Sequence, residues 1–267
     1  MTVSSLEQEM IAWSLEGAEL ARSYYRNTGE VAFKYGREAV TEADRAIETL
    51  WRQNIAARFP DDLVVGEELG SHTEEVAGRR VWQLDPIDGT LNFALGLPGF
   101  CTSMAVLCEG KILAACIVQP TTGDVFAATL NAGARLNGKA MTVSSRAPLN
   151  EALVSTQFKK DGRVVRDPAL LQAMALAPLK CRRTGAIALE LAWVACGGHD
   201  ALIGSFVDTI HLWDVAAGLL LVQEAGGRVT DHLGQPYGHG GPDLVVSNGH
   251  IHQEILDLMA KYARDED

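Results

Sequence analysis

Trp82-Gln83-Leu84-Asp85-Pro86-Ile87-Asp88-Gly89-Thr90 is the stretch on which the reading of this chain turns. The apolar run from Val81 to Leu84 reads as a buried strand, and it leads straight into two carboxylates three residues apart. Pro86 restricts the turn between them, and Gly89-Thr90 reads as the start of a short helix. A hard divalent cation such as Mg²⁺ is held by a few carboxylate oxygens and keeps water and phosphate oxygens as its other ligands. Asp85 and Asp88 on one tight turn can converge on such an ion, with the Ile87 carbonyl between them. The N–H groups of Gly89 and Thr90 are then free to point at an anion. Asp near Pro and Gly is also a common turn or cap residue, so this turn alone leaves both readings open.

Outward from this turn the chain divides into two unlike halves. On the N-terminal side, Leu6, Met10, Trp13, Leu20 and Tyr24 recur near helical period, which predicts an amphipathic helix over 5–25, with Ser5 and Gln8 at capping-box spacing. The polar stretch 29–38, with Lys34, Gly36 and Arg37, reads as a movable loop. A second helix starts at Thr41, carries Ile47, Leu50, Trp51 and Ile55 on one face, and ends near Phe59-Pro60. Strands are expected at 63–65, 81–84, 102–107, 112–118 and 125–128, with Asn137-Gly138 as a hairpin signal. Their short connections predict antiparallel pairing.

Beyond Ser144-Ser145 strands and helices alternate: a strand at 152–157, helices at 168–175 and 186–196, a strand at 201–206, a helix at 213–225, a strand at 244–247 and a helix at 251–263. The two halves therefore read differently: helices plus antiparallel sheet up to about residue 146, then an α/β unit from 147 on.

Bulk properties narrow the function. Hydrophobic residues at 47% and charged residues at 21% describe a chain that folds throughout most of its 267 residues. A net charge of −11 without a basic run argues against nucleic acid, and an acidic protein that handles phosphate needs a cation between the two. The five cysteines are scattered singly, the pattern of free thiols in a reducing compartment. Glu7, Glu9 and Glu16 stand where a signal peptide would be basic and then apolar. No apolar run approaches the ~20 residues that span a bilayer. A cytoplasmic protein with no membrane partner is expected.

Two further acidic spots lie beside apolar elements: Glu67-Glu68 after Leu63-Val64-Val65-Gly66, and Asp214 at the start of an apolar helix. A solvated loop and an ordinary cap would account for them separately. In order and spacing from Thr41 to Gly227, however, the series Gly66-Glu67-Glu68, Asp85-Pro86-Ile87-Asp88-Gly89-Thr90-Leu91-Asn92-Phe93, Trp213-Asp214-Val215-Ala216-Ala217-Gly218 and Glu224-Ala225-Gly226-Gly227 closely resembles the inositol monophosphatase family of lithium-sensitive, magnesium-dependent phosphatases.

The resemblance implies a layered α/β sandwich (αβαβα) in which residues 1–146 form the metal-binding half of helices plus antiparallel sheet and 147–267 an α/β half with a mixed sheet that completes the active site. It also implies an enzyme, a phosphoric monoester hydrolase with two to three Mg²⁺ per active site. Glu67, Asp85 and the Ile87 carbonyl would hold one ion, Asp85, Asp88 and Asp214 a second, and Glu67 with waters a third. Thr90 would orient or deprotonate the attacking water, backed by Asp44, and Glu68 would support the metal-bound water. Thr41 and Asp44 also have capping spacing, which explains that pair without catalysis. His211 is expected to be structural. Substrate would meet Gly89, Thr90, Gly185, Ala186 and Asp208.

Inositol monophosphate is the first expected substrate. Ala186 and Ile187 replace the usual small hydroxyl residue and Ala in the loop Arg182 to Ala188. Val207 stands where an acidic residue would contact inositol, with Asp208 one step on. Fructose 1,6-bisphosphate and histidinol phosphate are the alternatives on the same fold. A non-enzymatic module on a transcription or translation complex is the alternative class; a calcium-binding structural domain is disfavoured by the lack of a twelve-residue loop of alternating oxygens. Homodimerisation and millimolar lithium inhibition are implied by the family alone.

Overall fold

The computed structural model describes residues 5–27, 32–34, 38–70, 78–158, 160–161, 164–165, 168–205, 210–238 and 243–262. Helix α1 (Ser5–Tyr24) is followed by the short antiparallel pair β1 (Ala32–Lys34) and β2 (Glu38–Val40), then α2 (Glu42–Arg58). Strands β3 (Leu63–Gly66) and β4 (Arg80–Asp88) lead into α3 (Thr90–Ala94). A meander follows: β5 (Cys101–Cys108), β6 (Lys111–Gln119), β7 (Asp124–Thr129), β8 (Ala134–Leu136) and β9 (Lys139–Ala140). The second half contains β10 (Leu153–Phe158), β11 (Lys160–Asp161), β12 (Val164–Val165), α4 (Pro168–Leu176), β13 (Lys180–Arg182), α5 (Ile187–Ala195), β14 (Ala201–Ser205), α6 (Leu212–Glu224), β15 (Arg228–Thr230), β16 (Asp243–Ser247) and α7 (His252–Tyr262).

Five layers result, and the period-2 alternation of the strands generates them. In the seven-stranded sheet β3-β4-β5-β6-β7-β8-β9, Met104, Val106, Cys116 and Val118 pack on α1 and α2. Their neighbours Ala105, Leu107, Ala115 and Ile117 pack on α5 and α6. The other sheet, in order β13-β10-β14-β16-β15, turns Leu202, Leu244 and Val246 toward α5 and α6. It turns Val154, Ile203 and Val245 toward α4 and α7. Because β10 is parallel to β13 and β14 while β16 is antiparallel to β14 and β15, this second sheet is mixed, as expected. α1 and α2 approach closely: a Cβ on Gly17 would lie 2.7 Å from the Trp51 indole, whose N–H donates to the Trp13 carbonyl at 2.8 Å.

Several elements differ from expectation. β3 and β4 pair in parallel, Leu63 opposite Val81, because the connection from Glu67 to Arg79 is long enough for a crossover. β4 continues through Pro86 to Asp88, with a register shift between Asp85, opposite Ser103, and Asp88, opposite Cys101. That irregularity absorbs a residue without a backbone N–H and re-aims the side chains. Within the stretch 29–38, the described residues Ala32–Lys34 form β1, which pairs with β2 at Glu38–Val40. Ser5 lies inside α1 rather than ahead of it. β13 and β15 are three-residue edge strands whose alternation is too short to read. Asn137 and Gly138, at φ 52° and 76°, form the expected tight turn between β8 and β9. All five cysteines are free thiols.

Candidate active site

The site grows from the end of β4. Asp85 is only 2% exposed, and its Oδ1 is buried without a hydrogen-bond partner among the described residues. Burial holds its carboxyl well above the usual range, with further upward pushes, in order, from Glu67, Asp88, Asp214 and Asp44. Four acidic groups from β4, α2, α6 and the turn after β3 therefore act on one buried carboxyl. They share a locus without closing on a point: among the described residues no three His, Cys, Asp or Glu side chains stand as a ready-made metal cage. A buried unpartnered oxygen amid mutually repelling carboxylates suits a hard divalent cation, which would fill the vacant valence and cancel the repulsion.

Asp88 has a second attachment. Its Oδ1 accepts the Ile187 N–H at 3.0 Å and its Oδ2 the Leu189 N–H at 3.2 Å. Ala186, the residue ahead of α5, offers no side-chain acceptor, so Asp88 caps that helix from the other sheet. The Cys101 thiol also lies against Asp88 Oδ2, at 3.6 Å. Burial raises the Asp88 carboxyl to about 7, the Leu189 N–H lowers it and the Glu190 charge raises it.

The two readings of Asp44 both hold, one on each oxygen. Oδ2 accepts from the Thr41 backbone N–H at 2.8 Å and from the Thr41 hydroxyl at 2.6 Å, the capping arrangement of α2. Oδ1 faces the Thr90 hydroxyl at 3.5 Å, and that hydroxyl also donates to the Ile87 carbonyl at 2.9 Å. Burial pushes Asp44 up to about 6 against the Thr41 hydrogen bonds. Asp214 likewise caps its helix, accepting the His211 N–H at 3.2 Å, while remaining within electrostatic reach of Asp85. The His211 ring stacks on Trp213, centroids 4.3 Å apart and 10° from parallel, in keeping with a packed role.

Two buried carboxylates that sequence reasoning missed support this frame. Glu48 of α2 is fully buried and accepts the N–H groups of Glu68 at 2.8 Å and Leu69 at 3.3 Å, so it shapes the turn that carries Glu67 and Glu68. A Cβ on Gly66 would lie 2.2 Å from its Oε1, which is why glycine precedes this turn. Glu190 of α5 is fully buried too and accepts the N–H and hydroxyl of Thr184, each at 2.7 Å. Asn92 was noted only as part of a motif; its amide donates to the carbonyls of Gly99 at 2.6 Å and Thr184 at 2.8 Å. The helical spacing of Glu48 from Asp44 on the buried face of α2 was the signal available in the sequence.

Gly89 sits at φ 88° ahead of α3. A Cβ there would lie 3.0 Å from both the Ala186 Cβ and the Gly99 carbonyl. Ala186, which follows Gly185 at φ 82°, therefore lies against the acidic turn. Asp208 and the Lys34 side chain lie outside the described residues.

The raised carboxyls make a pH prediction. Both groups start from 3.8 and rise to about 6 for Asp44 and about 7 for Asp88. Their contribution to stability is complete below the unfolded value and is lost as pH rises through the folded ones. In chelator, the melting temperature is expected to fall between about pH 4 and pH 7, and a divalent cation should restore it at the upper end. A metal-free melting temperature that climbs over that interval would contradict the burial of these acids.

Comparison with known proteins supplies the kinship. A profile described as the inositol monophosphatase family matches residues 3–266. The Nus factor SuhB of Xylella fastidiosa is 35% identical over 251 residues, covering 90% of this chain and 89% of that protein. The fructose-1,6-bisphosphatase/inositol-1-monophosphatase of Thermotoga maritima is 34% identical over 225 residues, covering 84% of this chain and 83% of that protein. A solved structure of a Thermotoga maritima IMPase superposes with a TM-score of 0.85 at 31% identity, covering 95% of this chain and 96% of that one. Sequence likeness and shared fold extend over nearly the whole length, and the chain belongs to the inositol monophosphatase family.

Proposed function

We propose that the chain is a Mg²⁺-dependent phosphomonoesterase acting on a small phosphorylated alcohol, with inositol monophosphate as the first candidate. The observation that carries this reading is Asp85, buried among four other carboxyl groups with an oxygen unpartnered among the described residues, one turn from the Thr90–Asp44 pair. Glu67, Asp85, Asp88, Asp214 and the Ile87 carbonyl would hold two to three Mg²⁺ between them, in a site formed where residues 1–146 meet 147–267. When bound, Mg²⁺ supplies charge neutralisation on the phosphate and a lowered pKa for an attacking water.

The chain's own groups do the rest. The Thr90 hydroxyl has one proton and two acceptors in reach, the Ile87 carbonyl and Asp44 Oδ1. With the carbonyl engaged elsewhere, that proton goes to Asp44. The Thr90 lone pairs then face the water and accept its proton, with Glu68 beside it. Asp44 is suited to hold a proton, since burial raises it to about 6. Gly89 and Thr90 N–H groups would receive the phosphate, and Gly185, Ala186 and Asp208 the alcohol. No Ser, Cys or His nucleophile is needed.

The test is phosphate release from inositol 1-phosphate, fructose 1,6-bisphosphate and histidinol phosphate, with Mg²⁺ and with chelator. Thr90→Ala is expected to lose about 10²–10⁴-fold in rate and Thr90→Ser to recover most of it. Metal-independent release, or an unimpaired Thr90→Ala variant, would refute the reading. The name and 35% identity of the Xylella fastidiosa Nus factor SuhB favour a second one, a non-enzymatic role on a transcription complex. Absence of release from every substrate would select it. A homodimer and lithium inhibition belong to the first reading and are supported by family membership alone.

A further inference from the structure

The turn Thr184-Gly185 is held more firmly than an exposed loop requires. The Thr184 N–H and hydroxyl both go to Glu190 Oε1, each at 2.7 Å, and its carbonyl goes to the Asn92 amide at 2.8 Å. Both polar groups of this one backbone residue are thus taken by side chains, one from α5 and one from α3. Glu190 Oε2 is braced in turn by the Gln157 amide of β10 at 2.7 Å. Gly185 then takes a left-handed conformation, φ 82°, that delivers the buried Ala186 against Gly89. The first turn of α5 does not depend on this clamp, because Ile187 and Leu189 are held by Asp88.

We propose that Glu190 is a positioning residue: through Thr184, and braced by Gln157, it fixes the 184–186 turn that grips the alcohol half of the substrate. The inference rests on the proposed reading of this turn as substrate-facing. Glu190 touches no reacting atom. It acts by keeping the turn in one arrangement, so that the binding free energy of the alcohol is not spent on ordering the loop. A phosphate ester whose alcohol has no ring hydroxyls should be indifferent to it.

The experiment compares the wild type with Glu190→Ala and Glu190→Gln. Each is assayed with inositol 1-phosphate and with p-nitrophenyl phosphate, and each is digested briefly with trypsin, scoring cleavage after the exposed Arg182 and Arg183. Glu190→Ala is expected to raise the KM of inositol 1-phosphate relative to that of the aryl ester about tenfold, any effect of the lost Glu190 charge on Asp88 falling on both esters alike. Cleavage at the two arginines should be about tenfold faster. Glu190→Gln should keep the wild-type ratio of the two KM values and the wild-type cleavage, because its carbonyl accepts from Thr184 and its amide can donate to a flipped Gln157.

Equal losses on both esters, or unchanged cleavage in a folded Glu190→Ala variant, would overturn the proposal. If that variant fails to fold, Gln157→Ala loosens the same clamp from outside and should move KM and cleavage in the same directions; no movement overturns it equally. A wild type that releases phosphate from neither ester defeats the enzymatic reading and the grip together. Cleavage still decides whether the turn is clamped.

Discussion

Asp88→Asn is expected to abolish phosphate release and at the same time lower the stability of the fold by about 1–3 kcal/mol. The two losses come from different properties of one carboxylate. As a ligand, Asn would remove a charge from the locus around Asp85; loss of a mere outer partner of a metal site already costs roughly 10–100-fold, so the fall in rate should exceed about a hundredfold. As a cap, Asp88 accepts two N–H groups, from Ile187 and Leu189. Asn can accept only one and must set its amide against the other donor. Turnover and urea unfolding measured on one preparation separate the effects. Wild-type turnover would refute the ligand role, and an unshifted unfolding midpoint would refute the cap.

The second large effect is expected at a residue that touches no substrate. Glu48→Ala should cost about 3–5 kcal/mol, the range for breaking a buried charged pair. It strands the N–H groups of Glu68 and Leu69 and the Arg52 guanidinium, which donates to Glu48 at 2.8 Å. Arg52 is partly exposed and can turn to water, so the value should fall at the lower end. With the turn after β3 unshaped, Glu67 loses its position, and affinity for Mg²⁺ by calorimetry should drop about 10–100-fold. Glu48→Gln, which keeps an acceptor of the same length, should lose much less. Unchanged cation affinity in a folded Glu48→Ala variant would show that Glu67 is positioned by something else.

Local chemistry made much of the fold readable. Helices α1 and α2 follow from apolar spacing, and the hairpin at 137–138 from two residues that tolerate positive φ. The layer order came with the family resemblance, and the strands agree with it, since residues on both faces are apolar and each face is covered by helices. The parallel pairing of β3 with β4 was not readable. Direction depends on where a connection travels, and the residues from Glu67 to Arg79 carry no periodic pattern. The three-residue strands β13 and β15 were missed because so few positions cannot establish an alternation.

The site divides in the same way. What the sequence determined alone is a turn that ends a buried strand, with Asp85 and Asp88 separated by a proline and followed by a glycine. It also determined the order of the other acids, because turn conformation and helix starts depend on a few consecutive residues. Only the tertiary structure decided that Asp44 serves Thr41 with one oxygen and faces Thr90 with the other, that Asp88 caps a helix some hundred residues away, and that Glu48, Glu190 and Asn92 hold the turns in place. Those partners are chosen by packing between layers, where a buried carboxylate must find whichever N–H groups the fold has left unpaired. No short-range pattern records which they will be.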